Sequence, residues 1–148
     1  MAEQLFPIWE IPEESDEAKE TREKYFWPGP LFDFEIGDFA LNGKHEILMV
    51  DGYDAYMLWC VKCTYTQLGA CAAYPDFGID FETAIKQTTH EAVESVLEES
   101  IIDALMTNPR TEDVHTFQFE WKGDELYCSF IVEPQDLEAF DIRMRIVT

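Results

Sequence analysis

Four kinds of side chain in this 148-residue sequence could carry chemistry: a Cys60-Val61-Lys62-Cys63 pair, three histidines, a surplus of carboxylates and a lone arginine at a helix end. Two cysteines three apart on a helix share a face, and with two more ligands they would make a zinc site. Cys71 and Cys128 are isolated, however, and no histidine pair stands near. A redox pair belongs at a helix N-terminus, where the dipole lowers the thiol pKa; here a full turn or more of predicted helix precedes it. The thiols read as small buried apolar side chains. His45, His90 and His115 are scattered, and no serine-nucleophile elbow, zinc-protease helix, phosphate-binding glycine loop or calcium loop occurs. His90, at the start of a helix, reads as a surface residue. Glu82 and Glu91 could be nominated as a glycosidase pair. With 31 acidic residues chance proximity is expected, and nothing marks one acid as sitting in the apolar pocket a general acid needs. The residues therefore nominate no catalytic group, no cofactor-binding group and no metal ligands, and a non-enzymatic role is expected.

The arginine is more informative. Arg110 lies in Asn108-Pro109-Arg110-Thr111 and is the only basic residue between Glu91 and Asp113. It either satisfies helix-end carbonyls or a nearby acid, or Pro109 fixes the backbone so that the guanidinium reaches a partner as a bidentate fork. The residues alone favour the first reading. Arg143 and Arg145, on a last alternating segment, are two of only ten basic residues. If that segment is a sheet edge, it offers open backbone groups to another chain; otherwise it is internal or covered.

The elements that must position these groups follow from composition and pattern. Hydrophobic residues are 47% and aromatics 14%, enough for the core of a single domain. A net charge of −21 excludes nucleic acid, which needs basic surface, and disfavours an anionic membrane. No apolar run approaches a membrane span, no secretory signal is read at the N-terminus, and four irregularly spaced cysteines suggest a protein made in a reducing cytosol.

Residues 1–30 read as an extended arm. Phe6-Pro7-Ile8-Trp9-Glu10-Ile11-Pro12 cannot be helical, yet it is too apolar for a free tail. Glu13 to Lys24 is a charged run. The arm packs on its own domain or on a neighbouring subunit, and the sequence weighs these equally. Residues 31–148 read as an α+β domain. Leu31 to Val50 alternates as β-structure around Asn42-Gly43, a strong hairpin signal. Asp51 is placed as the cap of a helix carrying Tyr53, Tyr56, Met57, Cys60, Val61, Thr64 and Leu68 and ending at Gly69. A short helical piece is expected over Phe81 to Lys86. Thr88 and Glu91 suggest a capping box for a helix with Val93, Val96, Leu97, Ile101, Ala104 and Leu105 on one face, stopped by Pro109. Phe117, Phe119 and Trp121 alternate, turn at Lys122-Gly123-Asp124, and return through Leu126, Cys128, Phe130 and Val132. Ile142, Met144 and Ile146 form the last strand. The sum is two main helices on a small, mainly antiparallel sheet.

In this order the motifs resemble the XkdS-type family of contractile phage-tail and prophage baseplate proteins. That family is similar to the phage T4 baseplate wedge protein labelled lysozyme-like and to the baseplate assembly protein W group. The resemblance rests on Phe6 to Pro12, Phe32 to Phe39, Asp51 to Ala55 with Trp59-Cys60, Tyr74 to Glu82, and Ala104-Leu105 through Thr111 to Phe117, Phe119 and Trp121. It implies a structural baseplate wedge subunit of a phage tail or tail-like bacteriocin. That subunit would link wedge proteins, touch tube or hub proteins, and serve as the platform for sheath initiation without any cofactor. An acidic-Pro-Arg corner holds neighbouring subunits in the wider family; here Asn108 replaces the acid, so Pro109 and Arg110 carry over. The family's sheath-facing strand maps to Ile142 through Val147. The implied partner-binding set is Pro109, Arg110, Thr111, Phe6, Trp9, Arg143 and Arg145. The family label also carries an alternative, a peptidoglycan-cleaving tail enzyme.

Overall fold

A computed structural model of the protein describes residues 28–147. Residues 1–27 of the expected arm, with Phe6, Trp9 and the charged run, lie outside the described residues, while its last residues, Gly29–Pro30, are in a strand. The described part is α+β.

Four two-residue strands open it: β1 (Gly29–Pro30), β2 (Phe32–Asp33), β3 (Asp38–Phe39) and β4 (Met49–Val50). β1 pairs with β4 and β2 with β3, both antiparallel. The expected β-ribbon is thus present but broken. Asn42-Gly43 is not a two-residue hairpin turn. Leu41 bridges Ile47 across a five-residue loop. The Asn42 Oδ1 accepts the Lys44 and Glu46 amides at 2.8 and 3.0 Å, and its Nδ2 donates to Glu46. An asparagine side chain can fold its own following backbone in this way, and it outcompetes the tighter turn.

Helix α1 (Gly52–Tyr65) buries Ala55, Tyr56, Cys60, Cys63 and Thr64. Asp51 occupies the N-cap position with extended backbone, but its side chain makes no capping bond. The helix stops four residues before Gly69. The Thr64 and Thr66 hydroxyls donate back to the Val61 and Lys62 carbonyls, and the chain then turns extended to bridge Gln67 to Ile79 in parallel. Gly78 makes that bridge possible. Its φ is +112°, and a Cβ there would lie 2.5 Å from the Thr66 carbonyl oxygen.

Helix α2 (Phe81–Ile85) is capped by Asp80, whose carboxylate accepts the Thr83 amide at 3.1 Å. Helix α3 (His90–Met106) buries Val93, Leu97, Ile101, Ala104 and Leu105. Its cap is Thr89, not Thr88: the Thr89 hydroxyl accepts the Ala92 amide at 3.2 Å. With two adjacent threonines, backbone conformation decides which one caps. The one-residue shift puts Ala92 where a capping box needs Glu or Gln.

Three antiparallel strands follow in the order β5 (Thr111–Lys122), β6 (Glu125–Pro134), β7 (Phe140–Val147). Gly123, at φ +63°, sits at the first central position of the two-residue β5–β6 turn, as a type II′ geometry requires. On the inner face Phe130 and Val132 oppose Ile142 and Phe140, and Cys128 and Leu126 oppose Met144 and Ile146. α3 packs across this face, and its buried side chains join those of α1 and β6 in one core.

β5 begins six residues before the expected aromatic alternation, because it carries bulges. Val114 faces the core opposite Val132, and Phe119 does so opposite Cys128. These two are five residues apart, which strict alternation would place on opposite faces. One extra residue between His115 and Gln118 re-phases the strand, and Thr116 sits there at φ +59°. A second irregularity lies between Thr111 and Asp113.

Candidate assembly surface

The corner after α3 is built from backbone outward. The Thr107 hydroxyl donates to the Ala104 carbonyl at 2.6 Å and the Asn108 amide to the Leu105 carbonyl at 3.3 Å, closing the last turn. Pro109 cannot continue the helix. The buried Asn108 side chain accepts the Arg110 amide at 3.0 Å, and its carbonyl accepts the Thr111 amide at 3.0 Å. The Arg110 carbonyl accepts the Gln135 amide at 2.7 Å, which ties the corner to the β6–β7 loop. Asn108, standing where the wider family carries an acid, is thus a turn-former.

The corner residues point in different directions. Pro109 is exposed and Arg110 half-buried. Burial holds the Arg110 pKa below its ordinary value, against an opposing pull from Tyr56. Thr111 is buried, and its hydroxyl lies 2.7 Å from the Tyr56 hydroxyl. Its side chain is spent holding the corner to α1, so the outward surface here belongs to Pro109 and Arg110. Tyr56 is itself fully buried, which raises its pKa, and its ring meets Phe140 edge-on at 6.0 Å. Tyr53 does the same at 6.0 Å and donates to the Glu138 carbonyl at 2.8 Å. One helix therefore grips both the corner and the start of β7.

β7 pairs with β6 over eight consecutive residues without irregularity, and among the described residues nothing pairs with its other side. Arg143 and Arg145 project from its exposed face. Arg143 pairs with Asp141 at 3.0 Å, and Arg145 with Glu125. Glu125 also accepts from the Tyr127 hydroxyl at 2.7 Å, and these two partners, Tyr127 first, hold its carboxyl below the usual range. Gln118, Glu120, Tyr127, Ser129 and Arg143 line a shallow depression of about 410 Å³ on this polar face. Phe6 and Trp9 lie outside the described residues.

The other groups are ordinary by geometry. Burial pushes the Cys60 thiol up to about 12 and raises Cys63, the opposite of a reactive pair. Glu82 is exposed and pairs with Lys86 at 3.8 Å, while Glu91 is exposed on the first turn of α3. Neither sits in an apolar pocket. The residues missed in the sequence are Asp113, His115 and Glu133, whose ligand atoms converge within 4.8 Å on the outer face of β5 and β6. Their spacing on paired strands was the available signal. The His115 Nε2 is 3.0 Å from Glu133, and its Nδ1 is 2.6 Å from the Thr116 hydroxyl. A polar contact between His115 and Glu133 beside the bulge accounts for this arrangement. No helix among the described residues is long and apolar enough to cross a membrane.

A tied corner, a regular strand edge open among the described residues and a polar sheet face are the surfaces this geometry offers. Residues 30–136 match the model of the contractile injection system sheath initiator family, and the chain belongs to that family. Its role in such a system is structural and lies in sheath initiation at the baseplate. The match ends before β7. A comparison with curated proteins finds no match.

Proposed function

We propose that this protein is a baseplate wedge subunit that starts the sheath by offering β7 as an edge strand to the first sheath subunit. The supporting observation is the difference between the two sheet edges. β5 has two register irregularities, a device that blunts an edge against pairing. β7 is regular over its whole length and open. Strand addition uses main-chain hydrogen bonds for affinity and alternate side chains for selectivity. Arg143 and Arg145 supply that selectivity as guanidinium forks for carboxylates of the incoming strand. Pro109 and Arg110 form the wedge contact, with Thr111 anchoring them from inside. Tyr56 touches both surfaces, so a subunit fixed at the corner holds β7 in a defined direction.

Seeded polymerisation of sheath protein on purified baseplates tests this. Arg143→Glu with Arg145→Glu should leave the subunit in the baseplate but cut seeding at least about tenfold, the equivalent of one or two charge-assisted contacts. Arg110→Ala should fold normally yet fail to enter the baseplate. Normal seeding by the double variant, together with normal incorporation of Arg110→Ala, would refute the proposal. Peptidoglycan cleavage remains the enzymatic alternative, and clearing of a glycan gel by the purified protein would establish it.

A further inference from the structure

Away from these surfaces, the N-terminal ribbon carries an apolar strip that is exposed among the described residues, with Phe32 edge-on to Phe39 at 5.5 Å at one end. Leu41 and Ile47 oppose each other directly, so their side chains share a face. Alternation adds Phe39, two residues before Leu41, and Met49, two residues after Ile47. The four are 41%, 52%, 49% and 58% exposed in the order Phe39, Leu41, Ile47, Met49. The ribbon is tied to the body where Phe34 stacks on Tyr65 at 5.2 Å. A contiguous strip of large apolar side chains on an acidic protein marks a binding surface.

The chain itself indicates the occupant. Gly29 pairs with Val50 and Pro30 with Met49, so the segment before Pro28 enters the fold beside the strip. The stretch Phe6-Pro7-Ile8-Trp9-Glu10-Ile11 lies upstream. Its prolines bar a helix and favour an extended segment that can lie along a strip. Between Ile11 and Pro28 the sequence has enough residues to reach about 50 Å when extended. A tether of that length gives an effective concentration on the order of millimolar. A second copy at micromolar concentration competes poorly against that. From Glu13 to Lys24 the intervening run carries nine charged side chains and competes poorly for an apolar surface, which leaves Tyr25-Phe26-Trp27, next to Pro28, as the rival occupant within the chain.

We propose that Phe39, Leu41, Ile47 and Met49 form the docking strip for this chain's own Phe6, Ile8, Trp9 and Ile11. The inference does not depend on β7 or on the wedge corner.

A photo-crosslinking amino acid placed at Leu41 in the full-length protein tests it directly. Irradiating a mixture of isotope-labelled and unlabelled protein separates links within one chain from links between copies. Crosslinks from position 41 to residues 5–11 of the same chain are expected. They should be lost in a variant carrying Ile8→Asp and Trp9→Asp. Links only between copies, links to residues 25–27 alone, or none reaching residues 5–11, would overturn the proposal. Limited chymotrypsin digestion gives an independent reading, since Leu41→Asp with Ile47→Asp alters exposed positions only. Cleavage after Trp9 should rise about tenfold if the strip protects it, and an unchanged rate would count against docking.

Discussion

At the scale of single residues, position matters more than chemical type. Gly78 is there because two backbone segments meet and no Cβ fits between them. Gly78→Ala should destabilise the fold by about 2 kcal/mol or more, through a strained backbone and a forced shift of the Gln67–Ile79 bridge. A lowered denaturant midpoint with an unchanged slope would show it. The four cysteines divide in the same way. Cys60, Cys63 and Cys128 are buried, and burial pushes the first and last up to about 12, whereas Cys71 is half-exposed. Thiol titration of the native protein should therefore label one cysteine per chain quickly. The other three should react only on unfolding. Fast reaction of Cys60 or Cys63 would mean that α1 is not packed as described. Thr111 shows what a sequence hides at this scale. Its place beside Pro109 and Arg110 suggested a surface role, but its hydroxyl partner is Tyr56, 55 positions away, and no local pattern reports such a pairing.

At the scale of elements, legibility followed one-sided burial. α3 and the inner faces of β6 and β7 were readable because each buries one face, which imposes a period of 3.6 or 2 on the residues. Boundaries were less readable where side chains compete for the backbone. Thr89 took the cap from Thr88, threonine hydroxyls and the Gln67 bridge ended α1 before Gly69, and Asn42 folded its own loop. β5 is the clearest case. The odd spacing from Val114 to Phe119 already demands a bulge if both are to be buried, and Thr116 provides it. Deleting Thr116 would put Val114 and Phe119 four apart and therefore in phase, leaving a regular β5 with the same inner face and the same register to β6. The stack of His90 on Trp121 and the Trp121 bond to Glu94 should survive. Thermal unfolding followed by tryptophan emission should show native-like emission and a midpoint close to that of the parent protein. A loss of about 3 kcal/mol, the burial of one or two large apolar side chains, would contradict this.

At the scale of the whole molecule, the charge of −21 sets the terms of assembly. Copies of this chain repel one another, and a partner with a basic surface would neutralise them. The few cations then matter by where they stand: Arg110 at the corner, Arg143 and Arg145 along the open edge. Membership of the sheath initiator family came from the body, residues 30–136, while the proposed sheath contact lies beyond it. α1 connects the two, since Tyr56 holds Thr111 on one side and packs on Phe140 on the other. Amide hydrogen exchange, measured on this protein alone and then with the sheath subunit of the same particle, tests strand addition at β7 most directly. Alternate amides of residues 140–147, those facing away from β6, should gain at least about tenfold protection, because a new main-chain ladder closes them. Unchanged exchange along β7, with protection appearing on β5 or on the N-terminal ribbon instead, would contradict it.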